Sequence, residues 1–250
     1  MNSMTTGWLV FACVFGAALL GLFLRKSLPD DHLSGDSKDV VKLGMGLIGT
    51  MAALVLSLLI SSAKGSYDIR SSEVAQLSAN VMLLDRALAH YGPEAREARD
   101  LLRGSVAWVI DQTWPARSAG PSQPMPTAGA EAFYNAIQAL SPQNDAQRSL
   151  QAQALTIGTS LGQTRWLLVG QSAHSIPRPF LVVLICWLAF IFGSFGLFAR
   201  ANTTVIAALF VCALSFSSAI FLILELDRPF EGLIQISSAP LREALGRLGQ

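Results

Sequence analysis

Four stretches of the chain carry no charged residue: 8–24 (WLVFACVFGAALLGLFL), 43–60 (LGMGLIGTMAALVLSLLI), 180–199 (FLVVLICWLAFIFGSFGLFA) and 203–224 (TTVIAALFVCALSFSSAIFLIL). A helix crossing the hydrocarbon core of a bilayer needs about 20 such residues, because the membrane offers no water to solvate a charge or a bare backbone amide. The pattern therefore predicts an all-α membrane protein with four transmembrane helices in two pairs, the second span reaching to about residue 62. The flank before the first run (MNSMTTG) has no positive charge, and Arg25-Lys26 follows the run instead, so the segment reads as a retained helix.

Charges return between the pairs, over 63–178, and the apolar residues there recur with a helical period. From Ser66 to Tyr91 there is neither glycine nor proline, and Val74, Leu77, Val81, Leu84 and Leu88 follow one another in steps of three and four, the seam of a single helix. No strong breaker parts this segment from the second span, so the two can run on as one rod. Gly92-Pro93 suits the end of one helix and the first turn of the next. The following segment, Glu94–Trp114, presents Leu101, Leu102, Val106, Val109 and Ile110 on one face and should fold back on its predecessor. Asp85-Arg86 interrupts the seam and can pair with Arg96 or Arg99 across the hairpin.

The stretch 115–129 (PARSAGPSQPMPTAG) is rich in proline, serine and glycine and predicts an exposed, flexible loop. A short helix around Ala130–Leu140 and a longer one from about Gln143 to Gln171 complete the extramembrane helical domain. After the last span come a turn, Asp227-Arg-Pro-Phe-Glu-Gly232, and a short amphipathic helix with Ser238 as its cap and Leu241, Leu245 and Leu248 on one side. Lysines and arginines lie near the membrane ends on both sides; those beside the first helix put loop 25–42 in the cytoplasm and the helical domain on the opposite face.

At 250 residues, 52% apolar, mean hydropathy +0.45 and formal net charge +1, the chain carries no excess of positive charge for a nucleic acid. Cys13, Cys186 and Cys212 all sit inside apolar runs, where a thiol behaves as a small hydrophobe, and His32, His90 and His174 are too scattered to ligate a metal together. No cofactor is expected. Nucleophile elbow, phosphate loop, zinc-helix motif and paired catalytic acids are all missing, so the pattern argues for no enzyme.

Two groups of residues stand out. Gly44-x-Gly46-x-x-Gly49 has the letters of a dinucleotide fingerprint but lies at the start of a membrane span with no strand before it. The small residues of that span, Gly46, Gly49, Thr50, Ala53, Ser57 and Ser61, fall near one face, which fits close helix packing. The same face fits a pore lining that includes Gly46, in which the hydroxyls of Thr50, Ser57 and Ser61 form a polar path with Lys64 at the mouth and Leu54 or Leu58 forms an apolar constriction. At the end of the last span Glu225, Asp227 and Arg228 form a membrane-border polar cluster, read as interfacial anchors before a functional site.

The words GLIGTMAALVLSLLISSAKGSYD (46–68), SSEVAQLSANVMLLDRALAHYGPEAREARDLLR (71–103) and ELDRPFEGLIQISSAPLREAL (225–245) resemble a bacterial bestrophin-like family of membrane proteins with no assigned function. The resemblance implies a relation to bestrophins: pentameric anion channels with four membrane helices, a central pore lined by the second, and a helical domain outside the bilayer. Arg228-Pro229-Phe230-Glu231-Gly232 is similar to the Asn-Pro-Phe-Gly-Glu turn that follows their last span. No acidic run follows Phe230, so calcium gating is not expected, and the second span lacks the aromatic neck of the animal channels.

These expectations combine into a homo-oligomer in a bacterial inner membrane that passes small anions along its second helix. The alternative is a non-conducting sensor or scaffold that relays a signal through the long helix after that span.

Overall fold

The computed structural model describes residues 3–26, 35–114, 127–170, 178–230 and 232–249, and the described residues contain helices and no strand. In chain order the α-helices are α1 (Ser3–Leu24), α2 (Gly35–Tyr91), α3 (Arg96–Thr113), α4 (Thr127–Gln138), α5 (Asp145–Gly170), α6 (Arg178–Phe198), α7 (Thr203–Leu226) and α8 (Ala239–Arg247). Helices α1, α6, α7 and the amino-terminal part of α2 are long and apolar enough to cross a membrane. The chain divides into two compact units, one of residues 1–67 and 174–234, the other of 68–173 and 235–250.

In the membrane unit, Val10, Val14 and Ala18 of α1, Leu184, Leu188 and Phe192 of α6, Ala213, Ile220 and Ile223 of α7, and Ala52, Leu59 and Ala63 of α2 form one buried cluster. Much of the remaining surface along the spans is apolar: Trp8 is 66% exposed and Phe23 72%. Such a surface is at home only in lipid, and the protein is integral to a membrane. Close packing falls where the sequence reading did not look for it. A Cβ added to Gly21 of α1 would stand 2.1 Å from the Gly193 carbonyl oxygen, and one on Gly196 of α6 would stand 2.0 Å from that of Ala18. The two backbones are in contact there, as small residues allow within a bilayer. Against α7, α1 sets Phe11 and Phe15 edge-on to Phe210, with ring centres 5.4 and 5.5 Å away.

The second unit is a helical bundle. Helix α2 has no proline from Gly35 to Tyr91 and stops at Gly92, whose φ of 133° suits glycine, followed by Pro93 in the first turn of a short 3₁₀ segment. The predicted seam Val74, Leu77, Val81, Leu84, Leu88 is buried throughout. From Leu77 onward it packs with Leu102, Val106 and Ile110 of α3. Asp85 accepts two hydrogen bonds from Arg99, at 2.7 and 3.0 Å, and this holds the guanidinium above its usual pKa. Gln151 Nε2 of α5 donates to Ile137 O in the last turn of α4 (2.9 Å) and to Leu140 O just beyond it (2.8 Å).

The chain after the last span is shared between the units, with 235–249 joining the bundle. Trp114 Nε1 donates to Ile236 O at 2.8 Å and Ser78 Oγ to Pro240 O at 2.6 Å. Leu241 and Leu248 are buried, as their spacing predicts. Ser238, however, does not cap α8: its backbone is already helical, and its hydroxyl accepts from Arg242 Nε at 3.0 Å. Residues 115–126 of the predicted loop lie outside the described residues, as do His32 and His174, while 127–129 belong to α4.

Candidate functional site

Within the membrane unit α2 has two unlike sides. Met45, Ala52, Leu59 and Ala63 are buried (8, 5, 4 and 0% exposed), and their steps of seven and four keep them on the face that meets the core. A helix advances about 100° per residue. Directly opposite therefore runs a second line: Leu43, Leu47, Thr50, Leu54, Ser57, Ser61 and Lys64, in steps of four and three, every member exposed. This is the spacing with which one helix packs along another. In the most apolar stretch of α2 only 17% of residues are buried, against 28% or more in the other three spans, so this face is what the single chain leaves open.

The predicted pore residues all lie on that side: Thr50, Leu54, Ser57, Ser61 and Lys64 in the line itself, Gly46 and Leu58 on its flanks, all exposed. The sequence reading missed Leu43 and Leu47, which are 77% and 65% exposed. Their spacing carries the signal, because stepping back from Leu54 by four, three and four reaches both, although neither is a small residue.

The line changes character along its length. Its Leu43 end is leucine-rich, and from Ser57 onward it carries hydroxyls and an ammonium. Thr50 Oγ1 donates to Leu47 O at 2.7 Å, so its proton is held by its own helix and its lone pairs are what it presents outward. Lys64 Nζ stands 5.7 Å from the centre of the Tyr67 ring, a cation–π distance that leaves the charge on the helix surface.

Beside this line, Gly46, Gly49 and Ala53 border an apolar groove of about 700 Å³ whose far wall includes Leu188 and Phe192 of α6 and Phe216 of α7. A Cβ added at Gly44, Gly46 or Gly49 would meet nothing within 4 Å. Among the described residues the helix packing expected of these small residues is therefore not made, and close packing falls instead at Gly21, Gly193 and Gly196. No strand precedes Gly44 among the described residues, and it lies inside α2, so the dinucleotide letters have no structural counterpart there.

The polar group at the end of α7 is folded inward, unlike surface anchors: Glu225 is 3% exposed and Asp227 6%, with Arg228 half-buried. Ser3 Oγ donates to Glu225 Oε1, and the Leu233 N–H donates to Oε2 at 2.6 Å. Gly232 makes this approach possible. Its φ is +86°, and a Cβ there would fall 2.2 Å from Glu225 Oε2. One carboxylate thus ties the start of α1 and the turn after α7 to the end of α7, a clasp that sequence spacing over 222 residues could not reveal.

A family model described as Bestrophin-like domain matches residues 12–241. No curated protein and no solved structure matches the chain.

Proposed function

Since the chain belongs to the bestrophin-like family, we propose that it is the subunit of a homo-oligomeric membrane channel in which copies of α2 meet along the open line and enclose a path for small anions. The observation that carries this reading is that line itself. Seven exposed residues at helix-pairing spacing, from Leu43 to Lys64, lie opposite the face that holds α2 in its own subunit. Copies related by a closed rotation present the same face to one axis, and a ring of five is the stoichiometry that the resemblance implies.

Along such an axis the two halves of the line have different work. Leu43, Leu47 and Leu54, with Leu58 beside them, form an apolar constriction that holds back a hydrated ion until the ring widens. Ser57 and Ser61 supply hydroxyl donors to replace part of the anion's hydration shell, with Gly46 giving room beside them, while Thr50, its proton held by Leu47 O, lines the path without donating to it. Lys64 raises the local anion concentration at the mouth. Glu225 and Asp227, buried away from this line, hold the end of α7 in place, and Arg228 belongs to the same turn. The proposed setting is a bacterial inner membrane.

Chloride and potassium flux through the purified protein in liposomes tests the proposal. Chloride flux should exceed potassium flux, the Leu54→Ala, Leu58→Ala double variant should raise it, and Lys64→Glu should lower the preference for chloride. A Ser57→Cys variant, with Cys13, Cys186 and Cys212 replaced by serine, should oxidise to a disulfide-linked dimer of subunits. Folded, oligomeric protein with no flux in either form refutes conduction and moves the reading to a scaffold.

A further inference from the structure

The helical unit outside the spans contains an apolar cavity that the channel reading does not use. Its volume is about 470 Å³, within the range of sites that hold small molecules. Leu77 and Val81 of α2, Leu102 and Val106 of α3, and Phe133 of α4 form its walls, and all belong to the one unit.

What keeps the space open is the absence of two side chains. Gly158 and Gly162 border it one helical turn apart on α5. A Cβ on Gly158 would meet only Phe133 Cε1, at an ordinary 3.7 Å, and one on Gly162 would meet nothing within 4 Å. Packing therefore does not require glycine at either place. Each costs helix α5 about 1 kcal/mol relative to alanine. Larger residues there would fill the cavity.

The chemistry of the lining selects the occupant. Among the described residues no acidic or basic side chain borders the cavity, so a charged ligand would be stripped of water without a counter-ion from them, at a cost of several kcal/mol. The hydroxyls of Ser105 and Thr159 donate to Leu101 O and Leu155 O of their own helices, at 2.8 and 2.9 Å, and so face the space as acceptors. At the rim stand the Tyr134 phenol and the Gln163 amide, both exposed. We propose that this cavity binds a neutral amphiphile, an apolar chain or ring system among Val81, Val106 and Phe133 with one hydroxyl or carbonyl directed to Tyr134 and Gln163. The site stands whether or not the protein conducts.

The test uses full-length protein in phosphatidylcholine nanodiscs and a ten-carbon alcohol carrying an aliphatic diazirine. After illumination, peptide mass spectrometry should find saturable labelling in segments 102–109 and 158–163, competed by excess decanol and not by decanoate. Gly158→Leu and Gly162→Leu should each lower that labelling by about tenfold, roughly the loss of one good contact, with labelling of the four spans unchanged as the internal control. Val106→Phe fills the same space from α3 and serves if a glycine variant misfolds by circular dichroism. Tyr134→Phe should keep the labelling but erase the advantage of decanol over decane as competitor. Labelling confined to the spans, or unchanged in folded Gly162→Leu and Val106→Phe proteins, overturns the site. Equal competition by decanoate overturns the neutral class.

Discussion

Replacing Gly196 by alanine adds one methyl group where α1 and α6 touch backbone to backbone, and the geometry sets the consequence. The new carbon would lie 2.0 Å from Ala18 O and 3.0 Å from Leu22 N. The first distance is about 1.3 Å short of an ordinary C···O contact. Neither atom is the tip of a flexible side chain, so one helix must retreat as a whole. That retreat loosens the packing of Val10, Val14 and Ala18 against Leu184, Leu188 and Phe192, all 3% exposed or less. Forced overpacking of this kind costs about 1–3 kcal/mol, and the upper end applies where only backbone can move. Gly21→Ala makes the same demand from the other side, its Cβ meeting Gly193 O at 2.1 Å. Because one separation of the helices relieves both collisions, the double variant should be scarcely less stable than either single one, giving a coupling energy about as large as one substitution. Reversible unfolding in mixed micelles, followed by near-UV circular dichroism, measures the cycle. Gly16→Ala, where an added Cβ meets nothing, is the control and should be neutral or slightly stabilising. Additive losses, or a Gly196→Ala protein within about 0.5 kcal/mol of the parent, would refute the argument.

Two further outcomes are expected. Gly232→Ala should cost about 1–3 kcal/mol locally, through its positive φ and its collision with Glu225; hydrogen exchange at the Leu233 amide should quicken, and unchanged protection would contradict the clasp. Tyr91 is 3% exposed, its buried hydroxyl has no partner among the described residues, and burial, then Glu94, push its ionisation above the usual phenol range. The folded chain therefore keeps this proton at pH values where the unfolded chain loses it, so the linked stability is full below about pH 10 and is lost as pH rises beyond. Tyr91→Phe should remove that alkaline loss and leave stability at neutral pH unchanged or higher by up to about 1 kcal/mol; an unaltered alkaline slope in thermal melts would dismiss the phenol as its source.

Much of the fold is legible in the chain because it depends on local chemistry. The four spans follow from uncharged runs that only a bilayer accommodates, the seam from Val74 to Leu88 from its period, and the turn at Gly92-Pro93 from what those two residues do to a backbone. That Asp85 would find Arg96 or Arg99 follows from a hairpin that returns one helix along the other, and the structure selects Arg99. Even the open line on α2 is a property of its own sequence, and Leu43 and Leu47 belong to it by counting.

Tertiary structure alone decided which glycines matter. Gly21, Gly193 and Gly196 touch a neighbouring backbone while Gly46 and Gly49 border open space, and in sequence all five are equally small residues in apolar helices. It also turned Glu225 from a border charge into a buried clasp through Ser3 and Leu233, gave the Ser238 hydroxyl to Arg242 in place of a cap, and opened a cavity beside Gly158 and Gly162. The physical reason is the same in each case. Periodicity and propensity describe how a segment relates to its own axis, whereas contact, burial and empty volume are relations between segments far apart in the chain, and exist only once the helices have been placed side by side.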